Sequence, residues 1–385
     1  MRVLEVISDT NIGGAGMLLL ARLRHSDRAR FQTTVLLPSG SALEARFRQI
    51  GISVCCMKGC QDRSNDMGHV AELVRIIRRL RPALINCHGC FSARVAAAIA
   101  GVPIRIYTRH CAYPVEGYRR TSVYQIGFGA MTKVLSHHVI AVADAARENL
   151  LDMGAPPSRI SVIVNGAEAL PSLSAEEKKA LRQSLQIPEG ALVVGISARL
   201  EACKDHACFL RAAARLCAKD ARYFFLILGD GSLRKALEQK AEQLGIASRV
   251  CFLGFVENVA PYVNLFDLHV NCSVGTETSS LAISEAMSLG IPTVASDFGG
   301  NPYMVRDEEN GFLYPAGDDK ALAERILHVF SSKELYDQIC LGARERFLSE
   351  LNAVQMTKKT EQLYARLFRK RLGCKVTDRA GSSQY

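Results

Sequence analysis

Val274-Gly275-Thr276-Glu277-Thr278-Ser279-Ser280-Leu281-Ala282-Ile283-Ser284-Glu285-Ala286-Met287-Ser288-Leu289-Gly290-Ile291-Pro292 places two carboxylates eight positions apart. Between them a loop of small hydroxyl residues runs into an apolar helix, expected over Leu281–Leu289. A strand follows, expected over Thr293–Ser296. Such a loop presents backbone N–H groups at the helix start, where the helix dipole favours a phosphate. Carboxylates repel phosphate but accept hydrogen bonds from hydroxyls. A site that wants a phosphate and several hydroxyls together points to a nucleotide sugar.

Working outward, the first half alternates apolar strand-like runs with amphipathic stretches. The strands are expected at Val3–Ile7, Thr33–Leu37, Val54–Met57, Leu84–Asn86, Ile104–Thr108, Val139–Ala141 and Ile160–Val164. The pattern restarts with strands at Leu192–Ser197, Phe224–Leu228, Val250–Leu253, Leu268–Asn271 and Thr293–Ser296. Strand–helix alternation of this kind predicts an α/β protein with two parallel, doubly wound halves. The expected division is a first domain over 1–170, a linker over 171–190 and a second domain over 191–354. A basic helix over 355–373 and a flexible tail over 374–385 complete the chain.

The quoted stretch continues through Pro292-Thr293-Val294-Ala295-Ser296-Asp297-Phe298-Gly299-Gly300-Asn301-Pro302 and ends at Glu309-Asn310-Gly311-Phe312-Leu313-Tyr314-Pro315. Taken whole, it resembles the E-x7-E motif of the retaining glycosyltransferases of family 4. The resemblance covers roughly Met1 to Arg371. It implies the GT-B fold: two Rossmann-like domains facing a cleft, with the last helix crossing back to the N-terminal domain. It also implies transfer of a sugar from a nucleoside diphosphate to an acceptor hydroxyl, with retention at the anomeric carbon. In that reading Glu277 meets the donor sugar and supports charge near the anomeric carbon, and Glu285 accepts from the ribose. Thr278, Ser279, Ser280 and Leu281 lie at the diphosphate.

Other elements fit the same site. Arg199 and Lys204 follow the first strand of the second half and look like the family's R-x4-K pair. An Arg fork and a Lys point charge can hold a diphosphate and offset the leaving charge. No cofactor and no divalent metal are therefore expected. Gly13 and Gly14, after the first strand, permit close approach of backbone to ligand. Asn11 to Gly16 does not meet the dinucleotide pattern G-x-G-x-x-G, which argues against a dehydrogenase. His110, just after a strand, sits by resemblance beside the transferred sugar, where an imidazole orients hydroxyls. His88 ends a similar strand. Gly229 lies in a Gly-x-Gly turn that the family uses at the base or ribose, and Phe255 and Val256 match its nucleobase segment.

Composition sets the class. The 385 residues are 48% hydrophobic and 22% charged, which suits a globular chain of two domains. No uninterrupted apolar run reaches 18 residues, and charges inside the first apolar run make it a strand, not a signal peptide. Thirteen scattered cysteines suit a reducing cytoplasm. Cys87 and Cys90 have CxxC spacing without a second pair, so small packing residues are expected there. The net charge of +10 is uneven: residues 1–170 carry +9, 171–364 carry −4 and 365–385 carry +5. If the last helix returns to the first domain, its charge joins the +9. Arg75, Arg78, Arg79 and Arg81 cluster on one helix, with Arg119 and Arg120 nearby. The expected partners are a nucleotide sugar, a glycan or lipid-linked acceptor and an anionic membrane surface at the inner face of the cell membrane. Nucleic acid is not an expected partner. Rival readings are a GT-B epimerase of sugar nucleotides, which needs no acceptor, and a non-catalytic basic protein that binds nucleic acid or membrane.

Overall fold

The computed structural model describes residues 1–8, 10, 13–58, 67–113 and 115–373. It forms two compact units. One holds residues 1–166 together with the C-terminal segment from Ala353, and the other is Ala167–Asn352.

The first unit is built on a seven-stranded sheet of β1 (Arg2–Ile7), β2 (Gln32–Pro38), β3 (Ser53–Met57), β4 (Leu84–His88), β5 (Ile104–Arg109), β6 (His138–Ala141) and β7 (Ile160–Val162). Their order is β3-β2-β1-β4-β5-β6-β7, and every pairing is parallel. All seven strands stand where the alternation of apolar runs puts them. The strand order reverses between β1 and β4, where Ile7 pairs with His88. Open parallel sheets bind ligands outside the strand C-termini at such a reversal.

The second unit holds β8 (Leu192–Ser197), β9 (Tyr223–Leu228), β10 (Val250–Gly254), β11 (Leu268–Asn271), β12 (Thr293–Ser296) and β13 (Gly311–Tyr314), in the order β10-β9-β8-β11-β12-β13. This is the dinucleotide-fold order, with its reversal between β8 and β11. Strand β9, Tyr-Phe-Phe-Leu-Ile-Leu, is buried along its whole length. A central parallel strand is covered on both faces, so its run is continuously apolar. Phe209, Leu216, Phe225 and Tyr314 anchor the core on one side of the sheet.

The structure differs from the sequence expectation at residues 171–190, at β13 and at two further helices, Ser122–Leu135 and Lys333–Arg346. Residues 171–190 are not a linker. They contain the helix Ala175–Ser184, closed by a capping box of Ser174 and Glu177. Leu170, Leu181, Leu185 and Ile187 pack with Phe224, Phe266 and Ile291, and Asn264 Nδ2 donates to Pro171 O at 2.9 Å. The stretch belongs to the second unit because its leucines find a hydrophobic surface there. Strand β13 was not expected. It is four residues led by glycine, and only pairing with β12 makes it a strand. A Cβ on Gly311 would lie 1.9 Å from Thr293 O, which explains the glycine. The helix Ser122–Leu135 was also not expected.

The basic helix runs Ala353–Leu372 and is part of the first unit, one turn-end away from the expected bounds. Arg371 Nη1 donates to Pro103 O at 3.1 Å, and Arg366 Nη2 reaches Ser161 Oγ at 3.4 Å. The charges of the first domain and of this helix therefore do lie together. Arg75, Arg78, Arg79 and Arg81 are exposed on the helix Val70–Leu80 and its C-cap. Cys87 and Cys90 pack in one hydrophobic cluster with Leu73, Ile77 and Ala93. The tail over 374–385, and Asn11 and Ile12 of the first loop, lie outside the described residues.

Candidate active site

In the second unit, side chains converge at the β8/β11 reversal. Asn271 ends β11, and the chain then turns through Ser273 to Glu277. Glu277 is 8% exposed. Its Oε2 accepts from Lys204 Nζ at 2.6 Å, Ser273 Oγ at 2.9 Å and Asn271 Nδ2 at 3.3 Å. Among the described residues, every hydrogen bond to the Glu277 side chain goes to Oε2, so the carboxylate is held by one oxygen and offers the other. Lys204 Nζ also reaches Ser273 Oγ at 3.2 Å. Two of its three N–H donors are thus engaged, leaving one for an anion. Lys204 is presented by a short turn at Ala202–Lys204, after which Asp205 starts the helix His206–Cys217 in a left-handed conformation (φ +40°) and caps it by accepting from Cys208 N at 3.1 Å.

A second layer fixes this loop. Asn301 Nδ2 donates to Asn271 Oδ1 at 3.3 Å and to Ser296 Oγ at 3.1 Å, and Ser296 Oγ donates to Ser273 O at 2.6 Å. Gly299 and Gly300 lie directly on the loop backbone. A Cβ on Gly299 would be 2.2 Å from Glu277 O, and one on Gly300 would be 1.5 Å from Thr278 O. Gly300 N donates to Glu277 O at 3.2 Å. The Phe298-Gly299-Gly300-Asn301 segment therefore acts as a clamp that only residues without side chains can form. Sequence reasoning missed Asn271, Ser273 and Ser296. Their signal was polar side chains ending otherwise apolar strands.

The helix after the loop is Leu281–Ser288, with Ser280 as N-cap. Ser280 makes no side-chain cap bond, and the first turn holds no acidic residue. Ser280 Oγ instead accepts from Asn271 Nδ2 at 3.2 Å. The Ser279 hydroxyl is buried and has no hydrogen-bond partner among the described residues. A helix start without a carboxylate, beside a buried unpartnered hydroxyl, is suited to an anion. Glu285 lies on the second turn of this helix. Burial, with no compensating cation, pushes its pKa up to about 7.

The rim is formed by the neighbouring strand ends. Gly229 follows β9 at φ +133°, and a Cβ there would be 2.0 Å from Ala198 O, beside exposed Arg199. Gly229 N donates to Gly254 O at 2.8 Å, which ties the β9 and β10 ends together. Phe255 follows with 74% exposure, and Val256 is half-buried. The structure thus gathers Lys204, Glu277, Thr278, Ser279, Ser280, Leu281 and Glu285 on one loop and helix, with Arg199, Gly229, Phe255 and Val256 on adjoining strand ends.

Gly13, Gly14 and His110 belong to the first unit. Gly13 is the N-cap of the helix Gly14–Arg24, with an ordinary extended backbone (φ −101°, ψ 169°). A Cβ on Gly14 would meet nothing within 4 Å, so neither a close approach nor a strained turn within this unit requires that glycine. His110 follows β5 and joins a buried polar chain. Its Nε2 lies 2.9 Å from His88 Nδ1, and His88 Nε2 lies 2.9 Å from Glu5 Oε2. Glu5 is fully buried in β1 and also accepts from Arg22 and, at 2.9 Å, from Tyr364 Oη of the last helix. Burial would raise the Glu5 pKa, but Arg22, His88 and Tyr364 outweigh it and hold the carboxyl at about 2. An ionised carboxylate only accepts, so His88 Nε2 carries its proton. His88 Nδ1 and His110 Nε2 share a hydrogen bond in which one ring donates and the other accepts. Burial and His88 push the His110 pKa down to about 3, so His110 is neutral and is a hydrogen-bonding group. His88 is therefore tied into the site. Glu5 was visible in the sequence only as a charge inside an apolar strand. His138 bonds Ser161 at 2.9 Å, and His137 accepts from Arg105 N at 3.0 Å. Both serve the strands.

Two parallel sheets of this order, with a cation–carboxylate site at the reversal of the second, define a GT-B glycosyltransferase. Comparison with known proteins agrees. Residues 12–169 match the model of Glycosyltransferase Family 4, and residues 177–346 match that of Glycosyl transferases group 1. The UDP-Gal:alpha-D-GlcNAc-diphosphoundecaprenol alpha-1,3-galactosyltransferase of Escherichia coli is 26% identical over 313 residues, 78% of this chain and 79% of that protein. The lipopolysaccharide core biosynthesis glycosyltransferase LpsE of Rhizobium meliloti is 28% identical over 184 residues, 48% of this chain and 53% of that protein. The crystal structure of Anabaena HepE in complex with UDP superposes with a TM-score of 0.81 at 24% identity, covering 95% of this chain and all of that one. The chain belongs to the family 4 glycosyltransferases. It is an enzyme that uses a nucleoside-diphosphate sugar.

Proposed function

We propose that this enzyme moves a sugar from a UDP-sugar to a hydroxyl of a lipid-linked envelope glycan, with retention, without a divalent metal, and at an anionic membrane surface. The observation that carries the reading is the Lys204–Glu277 pair at the β8/β11 reversal, held by one carboxylate oxygen beside a helix start free of acids. Glu277 Oε1 then accepts from the sugar hydroxyls and stabilises positive charge near the anomeric carbon. The remaining N–H of Lys204, the Arg199 fork and the amides at Leu281 hold the diphosphate and offset its charge as it leaves. These cations do the work that a metal does elsewhere. Glu285 accepts from the ribose, and Phe255 and Val256 border the base. Neutral His110 orients a sugar hydroxyl. The leaving diphosphate takes the acceptor proton. The Escherichia coli relative, named for UDP-Gal and a diphosphoundecaprenol acceptor, supports a uridine donor and a lipid-linked acceptor.

The test is a thermal-shift and product screen against UDP-, GDP- and ADP-sugars. One UDP-sugar is expected to raise Tm, and Glu285→Ala to abolish the shift. Product analysis is expected to show a new glycosidic bond with the donor's anomeric configuration. Activity should survive EDTA. A Tm unmoved by every nucleotide sugar refutes the donor site, a released epimer without a new bond refutes transfer, and complete loss in EDTA refutes the cationic argument.

A further inference from the structure

The helix Ser122–Leu135 is apolar on the side that faces water. Its inward face is Gly129 and Thr132, the only fully buried residues of the helix. On the opposite side Val123 is 82% exposed, Ile126 73% and Val134 64%, with exposed Ala130 between them. At about 100° per residue these four fall within an arc of roughly 80°, in a stripe about 17 Å long. A soluble monomer rarely leaves such a continuous apolar strip uncovered.

Cations bracket the stripe. Exposed Arg119 and Arg120 precede the helix, and Tyr118, 68% exposed, packs edge-on to Tyr124 at 5.6 Å. At the other end Lys133 is exposed, and the last carbonyls are held by arginines: Arg159 donates to Lys133 O and Arg105 to Val134 O, each at 2.9 Å. Arg371 lies beside both of these arginines, anchored on Pro103 O, with exposed Arg366 and Lys370 on the same helix. No Asp or Glu occurs between Glu116 and Asp144. Half-buried His137 and buried His138 are pushed down to about 4 by burial and by these same cations. The neighbouring helix Asp144–Asp152 does bring acids, with Asp152 O accepting from Gln125 Nε2 at 2.9 Å, but among the described residues Arg105, Arg159, Arg366, Lys370 and Arg371 form no ion pair with them.

An apolar stripe between cationic ends, with an aromatic ring at one end, has the chemistry of a bilayer interface. Nucleic acid accounts for the cations but not for the stripe. We propose that this face, not the arginine-rich helix Val70–Leu80, seats the enzyme on an anionic membrane. The stripe enters the headgroup layer, and the Lys133/Arg371 cluster attracts the anionic lipids. This rests on the membrane reading above and names its surface.

The test is co-sedimentation of the full chain with vesicles of phosphatidylcholine alone or with phosphatidylglycerol. Wild type is expected on the anionic vesicles only. Val123→Asp/Ile126→Asp should lower partitioning at least tenfold. Lys370→Glu/Arg371→Glu should lower it at least fivefold per charge and flatten the salt dependence. Arg75→Ala/Arg78→Ala/Arg79→Ala should change it less than twofold. An unchanged UDP-sugar thermal shift shows that each variant is folded. If wild type binds but the stripe variant binds equally, this surface is wrong while the membrane reading stands. If wild type binds no vesicle, both fail. A dimer that Ile126→Asp dissociates, or a duplex oligonucleotide that binds in place of vesicles, also overturns the proposal.

Discussion

Replacing Glu277 by Gln separates what the carboxylate does for the fold from what it does for the reaction. In the native site Lys204 and Glu277 are 17% and 8% exposed at the side chain and lie 2.6 Å apart. Glu277→Gln keeps the shape and can still accept from Ser273 and Asn271, but it leaves the Lys204 ammonium largely buried without its counter-charge. Removing one partner of a buried pair costs about 3–5 kcal/mol, and the partial exposure of Lys204 places this case near about 3. For a unit of this size that is a Tm lower by roughly 6–12 °C. Lys204→Met should cost a similar amount by stranding Glu277. The double variant removes both charges and should cost less than either single, which requires a coupling larger than about 3 kcal/mol. The chain has no Trp, so unfolding is followed by circular dichroism, with hydrogen exchange of peptides from Leu281–Ser288 assigning the effect to the second unit. Activity should behave differently. Glu277→Gln and the double variant should both lose about 10²–10³ in kcat, since both lack the charge proposed to face the sugar. A Glu277→Gln protein as stable as wild type, with no coupling to Lys204→Met, refutes the ion-pair reasoning. A double variant with restored activity refutes the catalytic role.

Three further outcomes follow from the same geometry. His110 and His138 have native pKa values of about 3 and 4 against an ordinary 6.5, so the unfolded first unit binds protons that the folded one does not. Their stability contribution is complete above pH 6.5 and is lost as pH falls, by about 3 kcal/mol at pH 5.5, whereas raised Glu285 offsets part of the similar loss from His206 and His269 in the second unit; acid titration by hydrogen exchange should find the first unit loosening earlier, and simultaneous loss would contradict this. The proposed ribose contact favours an ionised Glu285, so UDP affinity by calorimetry should rise up to tenfold per pH unit below about 7 and level off above it, and Glu285→Gln should bind weakly with a flat profile. Gly300→Ala would place a methyl 1.5 Å from Thr278 O, so it should displace the loop and weaken UDP binding at least tenfold while leaving the first unit's exchange unchanged; native affinity in that variant would show that the clamp is dispensable.

The strands, their parallel order and the loop–helix carrying Glu277 and Glu285 were legible in the amino-acid sequence, because each is written locally. A buried parallel strand must be a continuous apolar run, and a helix that meets a ligand at its start must begin with small residues. Resemblance to family motifs that follow strands marked Arg199, Lys204, Gly229 and His110, in keeping with strand C-termini collecting at one edge of a parallel sheet. Other features depend on partners far away in the chain. Glu5 reads as a misplaced charge until His88, Arg22 and Tyr364 surround it. Gly299 and Gly300 read as a turn until the Glu277–Thr278 backbone is laid against them. Strand β13 and the packing of residues 171–190 exist only because distant surfaces receive them. The sequence by itself determined which segments could be strands and which side chains could do chemistry. Only the tertiary structure decided their partners, because hydrogen bonds and ion pairs act over about 3 Å of space and take no account of separation along the chain.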